Sequence, residues 1–316
     1  MDLAEDTRMQ IGKEEINVKG TYVWVNSVRI NDKIFIIPGK MFKVAQLKEE
    51  WYEDVRDPEV IIEVLKTSNS RPDIFTFFER FPNIKPQFSY HMEWEENAVL
   101  PIRTFDYWWH KQIVGETRNR VRKAHEKGVV TKVVCFNEEL ALGIANIFNE
   151  TPVRQGKFFW HYGKPFETIR RDMARDLDRS EFIGAYCGGE LIGFMKLIYA
   201  DSVADPVQFI SMIRHRDKSP NNALMAKAVE VCEKRKIPLI AFGEWREGSY
   251  AMFLMSNGFE RTSLPRYYIP LTDKGKLMLQ LRLHRGLKGL IPPRVKRRLM
   301  DIRSRWYKGR YRKFSH

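Results

Sequence analysis

The chain has 316 residues, with 54 Lys+Arg against 40 Asp+Glu and a formal charge of +14. Apolar residues make up 43% and aromatics 13%, which excludes a mainly disordered chain and allows about two ordinary domains. The charge is uneven: 15 Lys+Arg and two acids fall between Leu271 and His316, so a near-neutral body carries a basic tail.

In chain order, Tyr22 to Ile30 and Lys33 to Ile37 read as strands joined by Asn31-Asp32, a two-residue hairpin signal. Asp57-Pro58 opens a helix, with Asp as N-cap and Pro at the first helical position. Asp73 is expected to cap a second short helix bearing Phe75, Phe77, Phe78 and Phe81. Alternating apolar residues from Phe88 to Trp94 predict a half-buried strand. Thr104 then caps a long helix with Val114, Thr117, Val121 and Ala124 at helical spacing, closed by Gly128. A strand over 129–135 follows. Asn137 starts a helix carrying Leu140, Ile144, Ile147 and Phe148, and a loop from Arg154 to Lys164 leads to another with Phe166, Ile169 and Met173. Strands over 181–187 and 190–197 face each other across Gly188-Gly189. Asp205-Pro206 is expected to turn the chain into a strand over 207–213. Ser219-Pro220 opens a helix, 239–242 is a buried strand, a short helix lies near 250–255, and a last strand spans 266–271. From residue 129 the order is βααβββαβαβ, which predicts an α/β (α+β) fold with a mixed sheet and helices on both faces.

Thr117-Arg118-Asn119-Arg120-Val121-Arg122-Lys123-Ala124, running into Lys127-Gly128-Val129, resembles the RN-x-[IV]-RKA-x-x-x-G-V element of the FemA/FemB family. That family holds peptidoglycan bridge aminoacyltransferases and their acyltransferase relatives. Ser219-Pro220 to Phe259 resembles the same family's helix, strand and closing Asn-Gly-Phe, and the element order over about 115–270 is similar to the GNAT acyltransferase fold. The resemblance implies three parts. Residues 1–110 would be a smaller, degenerate GNAT-like α/β subdomain, 111–270 the acyltransferase domain, and 271–316 the basic amphipathic tail. It also implies acyl-CoA as co-substrate, with aminoacyl-tRNA the other donor to weigh.

The sequence departs from GNAT practice twice. The turn Arg216-Asp217-Lys218-Ser219-Pro220-Asn221-Asn222 has no glycine, and Pro220 removes a donor. A helix N-terminus still points positive there, so Arg216, Lys218, Ser219, Asn221 and Asn222 are the candidates to meet phosphates. GNAT enzymes often place a general-acid tyrosine four residues before the Gly of the closing Gly-Phe. Leu254 stands there, and Tyr250, one turn earlier, is the substitute candidate.

Acyl transfer needs a deprotonated acceptor, a stabilised carbonyl oxygen and aligned substrates. Glu244 ends a core strand, where a partly buried carboxylate could act as base; the alternative is a solvated glutamate paired with Arg246. The loop from Arg154 to Lys164 mixes cations, aromatics and glycines, as substrate loops do. Within it Arg154 is a candidate clamp for phosphate or carboxylate, His161 a candidate base, and Trp160, Tyr162 and Lys164 candidate substrate contacts; the alternative is aromatic packing around a capping histidine. The Arg118–Lys123 cluster is either a solvated helix face or a contact for an anionic donor.

After Pro292-Pro293, Val295, Leu299, Ile302 and Trp306 form a helical stripe bordered by Arg294, Arg297, Arg298 and other cations. Such helices lie in anionic membrane interfaces, with Arg294, Arg297, Arg298, Leu299 and Trp306 as the contacts. A helix packed on the body and RNA binding are the alternatives. The start, MDLAEDTRMQ, is acidic and lacks an apolar stretch, so no signal peptide is expected. Three scattered cysteines and seven unpaired histidines point to a reducing cytoplasm and no metal. The expectation is a cytoplasmic acyltransferase, peripheral on the inner membrane face, acting on a lipid- or nucleotide-linked envelope precursor. A non-catalytic membrane scaffold is the other class.

Overall fold

The structure is a computed structural model that describes residues 9–18 and 21–285. Among the described residues two compact units form: one from the residues up to Glu95 together with 264–285, the other from Glu96–Ser263. The tail contacts expected at Arg294, Arg297, Arg298, Leu299 and Trp306 lie outside the described residues.

The first unit begins with β1 (Met9–Val18), β2 (Thr21–Ile30), β3 (Lys33–Ile37) and β4 (Val44–Leu47), each antiparallel to the next. Ile30 pairs with Lys33 across the expected hairpin, with Asn31 at φ 56°, a conformation asparagine tolerates. Helix α1 (Pro58–Thr67) starts at Pro58 as expected, although Asp57 makes no side-chain cap. The helix expected after Asp73 is instead strand β5 (Ile74–Phe78), parallel to β4. All five of its residues are buried. A strand covered on both faces reads as an unbroken apolar run, which spacing does not distinguish from a short helix. The Asp73 carboxylate accepts from the backbone N–H of Lys43 at 3.0 Å rather than capping a helix. The expected 88–94 strand starts later, as β6 (Met92–Pro101), because Phe88 turns its ring onto Phe77 and Tyr267 instead of alternating.

The second unit opens at β6. The single long helix expected from Thr104 is broken. Thr104 does cap α2 (Phe105–Tyr107), accepting from Tyr107 N–H, but a π-turn follows at Trp108–Gln112. Buried Ile113 and then Val114 adopt extended backbone before α3 (Gly115–Glu126) resumes. Burial of Trp108 and Ile113 in the core outweighs helix continuity there. Trp108 Nε1 donates to the carbonyl of Asn257 at 2.9 Å, and Arg118 donates to the carbonyls of Trp109 and Ile113 that the π-turn leaves open. Arg118 is therefore a half-buried capping residue rather than part of a solvated face.

Next come β7 (Val130–Val134), α4 (Glu138–Phe148), the short strands β8 (Val153–Arg154) and β9 (Lys157–Phe158), and α5 (Phe166–Met173). Then follow β10 (Ser180–Cys187), β11 (Glu190–Ala200) and β12 (Val203–Ser211), α6 (Pro220–Lys234), β13 (Leu239–Glu244), α7 (Ser249–Ser256) and β14 (Glu260–Pro270). In this unit the strands run in the order β6-β13-β12-β11-β10-β7. All pair antiparallel except β12 with β13. Helix α6 packs Leu224, Ala228, Val231 and Cys232 against one face. Helices α4 and α5 cover the other through Ile144, Phe148, Ile169 and Met173. The second segment of β14 pairs with β5 in the first unit, and α8 (Asp273–Gln280) follows, capped by Thr272 and burying Met278.

Asp205-Pro206 lies inside β12 rather than before it. The register slips there: Leu197 faces Pro206, Lys196 faces Gln208, and Val207 is the extra residue. A bulge is where a strand tolerates a proline without an N–H.

Candidate active site

Strands β12 and β13 pair only at Val203–Leu239 and Ala204–Ile240. Beyond those two steps the strands separate. On one side β12 bulges at Val207; on the other β13 shifts register between Ala241 and Glu244, with Gly243 at φ 66°. The backbone of β12 from the bulge to Ser211 thus has a partner on its β11 side only. Inside the resulting wedge lies a cleft of about 770 Å³, bounded by β12, the start of α6, the β8–β9 hairpin and the start of α7.

The start of α6 forms the polar end. Ser219 sits at φ 52°, so a serine occupies the left-handed position that glycine would fill most easily. Pro220 stands at the first helical position, where its missing N–H removes no helix bond. Asn221 Oδ1 and Asn222 Nδ2 are buried without hydrogen-bond partners, and both residues line the cleft; Asn222 is only 5% exposed. Arg216 and Arg120 line the same end. A positive helix terminus, the unpaired Asn222 Nδ2 donor, the Arg216 guanidinium and that of Arg120, which also holds Glu116 at 2.6 Å, make a surface for an anion; Asn221 Oδ1 is an acceptor and takes no part in it. Lys218 turns away, its Nζ 3.0 Å from His215 Nδ1.

Arg154 lines the cleft from β8, but most of its guanidinium is engaged by protein. It donates to the carbonyls of Ser211 (2.8 Å) and Ile147 (3.1 Å) and to Glu150 (3.0 Å). Glu150 also accepts from the backbone N–H groups of Ile213 (2.7 Å) and Arg214 (2.9 Å), so it ties the strand exit to the end of α4. Sequence reading missed Glu150; its signal was a glutamate four residues before a cation.

Gln155, Lys157, Phe158 and Phe159 line the cleft beside Arg154, whereas residues 160–164 pack away from it. His161 is 4% exposed, its ring 4.0 Å from that of Phe148 and 3.5 Å from that of Trp160. Burial, with Lys164 and Arg154 adding to it against Asp172, pushes its pKa down to about 3. Lys164 pairs with Asp172 at 3.3 Å and lies over the Trp160 ring. Tyr162 is half-buried in the same loop and outside the cleft lining. The aromatic-packing alternative describes this segment.

Glu244 is exposed and 3.5 Å from Arg246, which is the solvated, paired glutamate of the alternative reading and not a partly buried base. It ends its strand where β13 has already twisted out through Gly243. Tyr250 does line the cleft. Its hydroxyl donates to the carbonyl of Phe242 at 3.0 Å, and burial, opposed by Arg246 and aided by Asp205, pushes its pKa up to about 12. The structure thus brings together Arg154, Arg216, Ser219, Asn221, Asn222 and Tyr250, and leaves Glu244, His161, Trp160, Tyr162, Lys164 and Lys218 off the lining. It adds an aromatic wall that sequence reading missed: Phe209 lies 5.8 Å from both Phe242 and Phe253, and Phe242 lies 5.8 Å from Tyr250. No group of metal-ligating side chains occurs among the described residues.

No family profile matches the chain, and no curated protein does. Solved structures do match. FemX superposes with a TM-score of 0.54 at 11% identity, covering 86% of this chain and 90% of that one. L-PGS from Bacillus licheniformis gives 0.55 at 13%, covering 82% and 86%. The C-terminal domain of a putative lysylphosphatidylglycerol synthetase from Agrobacterium fabrum gives 0.52 at 11%, covering 80% and 85%. The chain has the fold of FemX and of these synthetase structures. At these identities the likeness extends to the fold and no further.

Proposed function

We propose that the cleft between β12 and β13 transfers an acyl group from an activated donor to an amine or hydroxyl. The observation that carries this is the early end of the β12–β13 pairing beside the α6 N-terminus. One edge of β12 offers backbone N–H groups to a carbonyl oxygen, and α6 offers its positive end to the donor's phosphates. The acceptor's lone pair attacks the acyl carbonyl, forming a new C–N or C–O bond while the donor's C–S or C–O bond breaks. The acceptor proton leaves to solvent. Tyr250, held protonated at neutral pH, gives its proton to the departing thiolate or alkoxide and regains one from water. Its hydroxyl must first leave the Phe242 carbonyl.

The donor is acyl-CoA, or aminoacyl-tRNA in the nearest variant of this function. The acceptor is a lipid- or nucleotide-linked envelope precursor, met at the inner membrane face with the basic tail as attachment. Among the described residues no helix is long and apolar enough to cross a membrane. Titrating the full chain with CoA, acetyl-CoA and charged tRNA tests the donor site. Binding that weakens at least about ten-fold in Asn222→Leu is expected, from loss of a hydrogen bond to a charged group. Failure of all three ligands to bind would sink the proposal.

A further inference from the structure

The two ends of the cleft differ in chemistry. At α6 lie Arg120, Arg216 and the unpaired Nδ2 donor of Asn222. Along β12 and α7 the wall is Phe209, Phe242, Tyr250 and Phe253. Among the described residues the lining holds four cations, counting Arg154 and Lys157, and no carboxylate. Acids near it are otherwise placed. Glu150 is saturated by Arg154 and two backbone N–H groups, and Asp205, next to the bulge, is not part of the lining.

We propose that the group carried in this cleft is an uncharged, apolar acyl chain on a phosphate-bearing carrier, rather than an acyl group with a free ammonium. The proposal rests on the acyl-transfer function above and selects within it. A free α-ammonium would enter a cleft whose lining cations repel it and whose lining offers no anion; Asp205, which acts on Tyr250 from outside the lining, is an opposing charge too far back to pair with it directly. Aromatic faces attract cations, but by only about three- to thirty-fold in affinity. Stripping an ammonium of water without a paired charge opposes binding by about a thousand-fold or more. An alkyl chain meets the opposite balance. Each methylene buried on the aromatic wall tightens binding about four-fold, and Arg216 at the α6 end is left to the carrier's phosphates, with Arg120 able to join it on releasing Glu116.

Two isosteric ligand pairs test this on the full-length protein by titration calorimetry. Butyryl-CoA and β-alanyl-CoA differ by a methyl against an ammonium, as do hexyl phosphate and 5-aminopentyl phosphate. The first pair presents a nucleotide carrier and the second a bare phosphate ester, so the arms separate the two sources of phosphate. In each arm that binds, the apolar member is expected to bind about ten-fold tighter or better, and octanoyl-CoA to exceed butyryl-CoA. Equal or tighter binding of the ammonium member overturns the acyl class and leaves the donor site standing. No binding by any of the four ligands overturns the donor site, and this proposal with it.

Discussion

The Glu150 carboxylate and the Arg154 guanidinium meet at 3.0 Å beside the cleft, and each is also bound to backbone. Their other partners are unequal in kind. Glu150 holds the N–H groups of Ile213 and Arg214, whereas Arg154 holds the carbonyls of Ile147 and Ser211. Removing Glu150 leaves two N–H groups without their acceptor and a partly buried positive charge held by neutral carbonyls alone. Removing Arg154 takes a donor from two carbonyls but leaves a carboxylate that still has two donors. Glu150→Ala is therefore expected to destabilise the fold by about 2–4 kcal/mol, more than Arg154→Ala. Urea unfolding of the two single variants and the double variant checks this, with a coupling of about 1–3 kcal/mol expected. A larger loss in Arg154→Ala would reverse the assignment of which residue anchors the other.

Asn222 separates a folding role from a binding role. Its Nδ2 is buried with no partner in the free protein. An unsatisfied buried amide is destabilising, so Asn222→Leu, of similar size, is expected to raise the stability of the free protein by about 1 kcal/mol. If the amide serves a donor phosphate, the same change lowers donor affinity. Thermal unfolding with and without CoA measures both effects. A variant that is destabilised and binds unchanged would mark Asn222 as an ordinary core polar residue.

Local chemistry was the legible part of this chain. The Asn31-Asp32 hairpin, the Pro58 helix start and the Asn137 cap each depend on residues within four positions, and each stands where expected. The misread elements depend on distant packing. Ile74–Phe78 is apolar on every position because both its faces are covered, so no period remained to distinguish strand from helix. Pro206 marks a strand bulge only once β11 is beside it. The helix after Thr104 breaks because Trp108 and Ile113 turn into a core built largely by residues after 180. The same division holds at the site. Asn221, Asn222 and Arg216 follow from the helix start, whereas Glu150 and the Phe209 wall became visible only in three dimensions.

Lys196 gives a stability prediction in alkali. It is 3% exposed, and its Nζ donates to the carbonyls of Met173 (3.0 Å) and Arg175 at the end of α5. Burial, assisted by Arg175 and Arg179 and opposed by Asp176, pushes its pKa down to about 8 from 10.5. Between those two values the unfolded chain holds a proton that the folded chain has lost, so stability rises with pH across that window. The gain is at most about 3 kcal/mol. Comparing urea midpoints of the wild type and Lys196→Met from pH 7.5 to 10.5 isolates it, since other titrating groups cancel. A variant with the same alkaline slope as the wild type would refute the assignment.

His161 acts in the opposite pH range and bears on the chemistry. Its ring is packed between Phe148 and Trp160, and its pKa is pushed down to about 3 from 6.5. The unfolded chain takes up a proton near pH 6.5 that the folded chain refuses until about pH 3. The contribution is fully present above pH 6.5 and is lost as pH falls through that window, up to about 5 kcal/mol. His161→Phe is therefore expected to flatten the acid limb of the pH–stability curve. The histidine is neutral at physiological pH and off the cleft lining, so this variant should also leave the pH dependence of the proposed acyl transfer unchanged. An activity profile that loses an inflection near pH 6.5 in His161→Phe would instead place the imidazole in the reaction, and would require the loop around Trp160 to open onto the cleft.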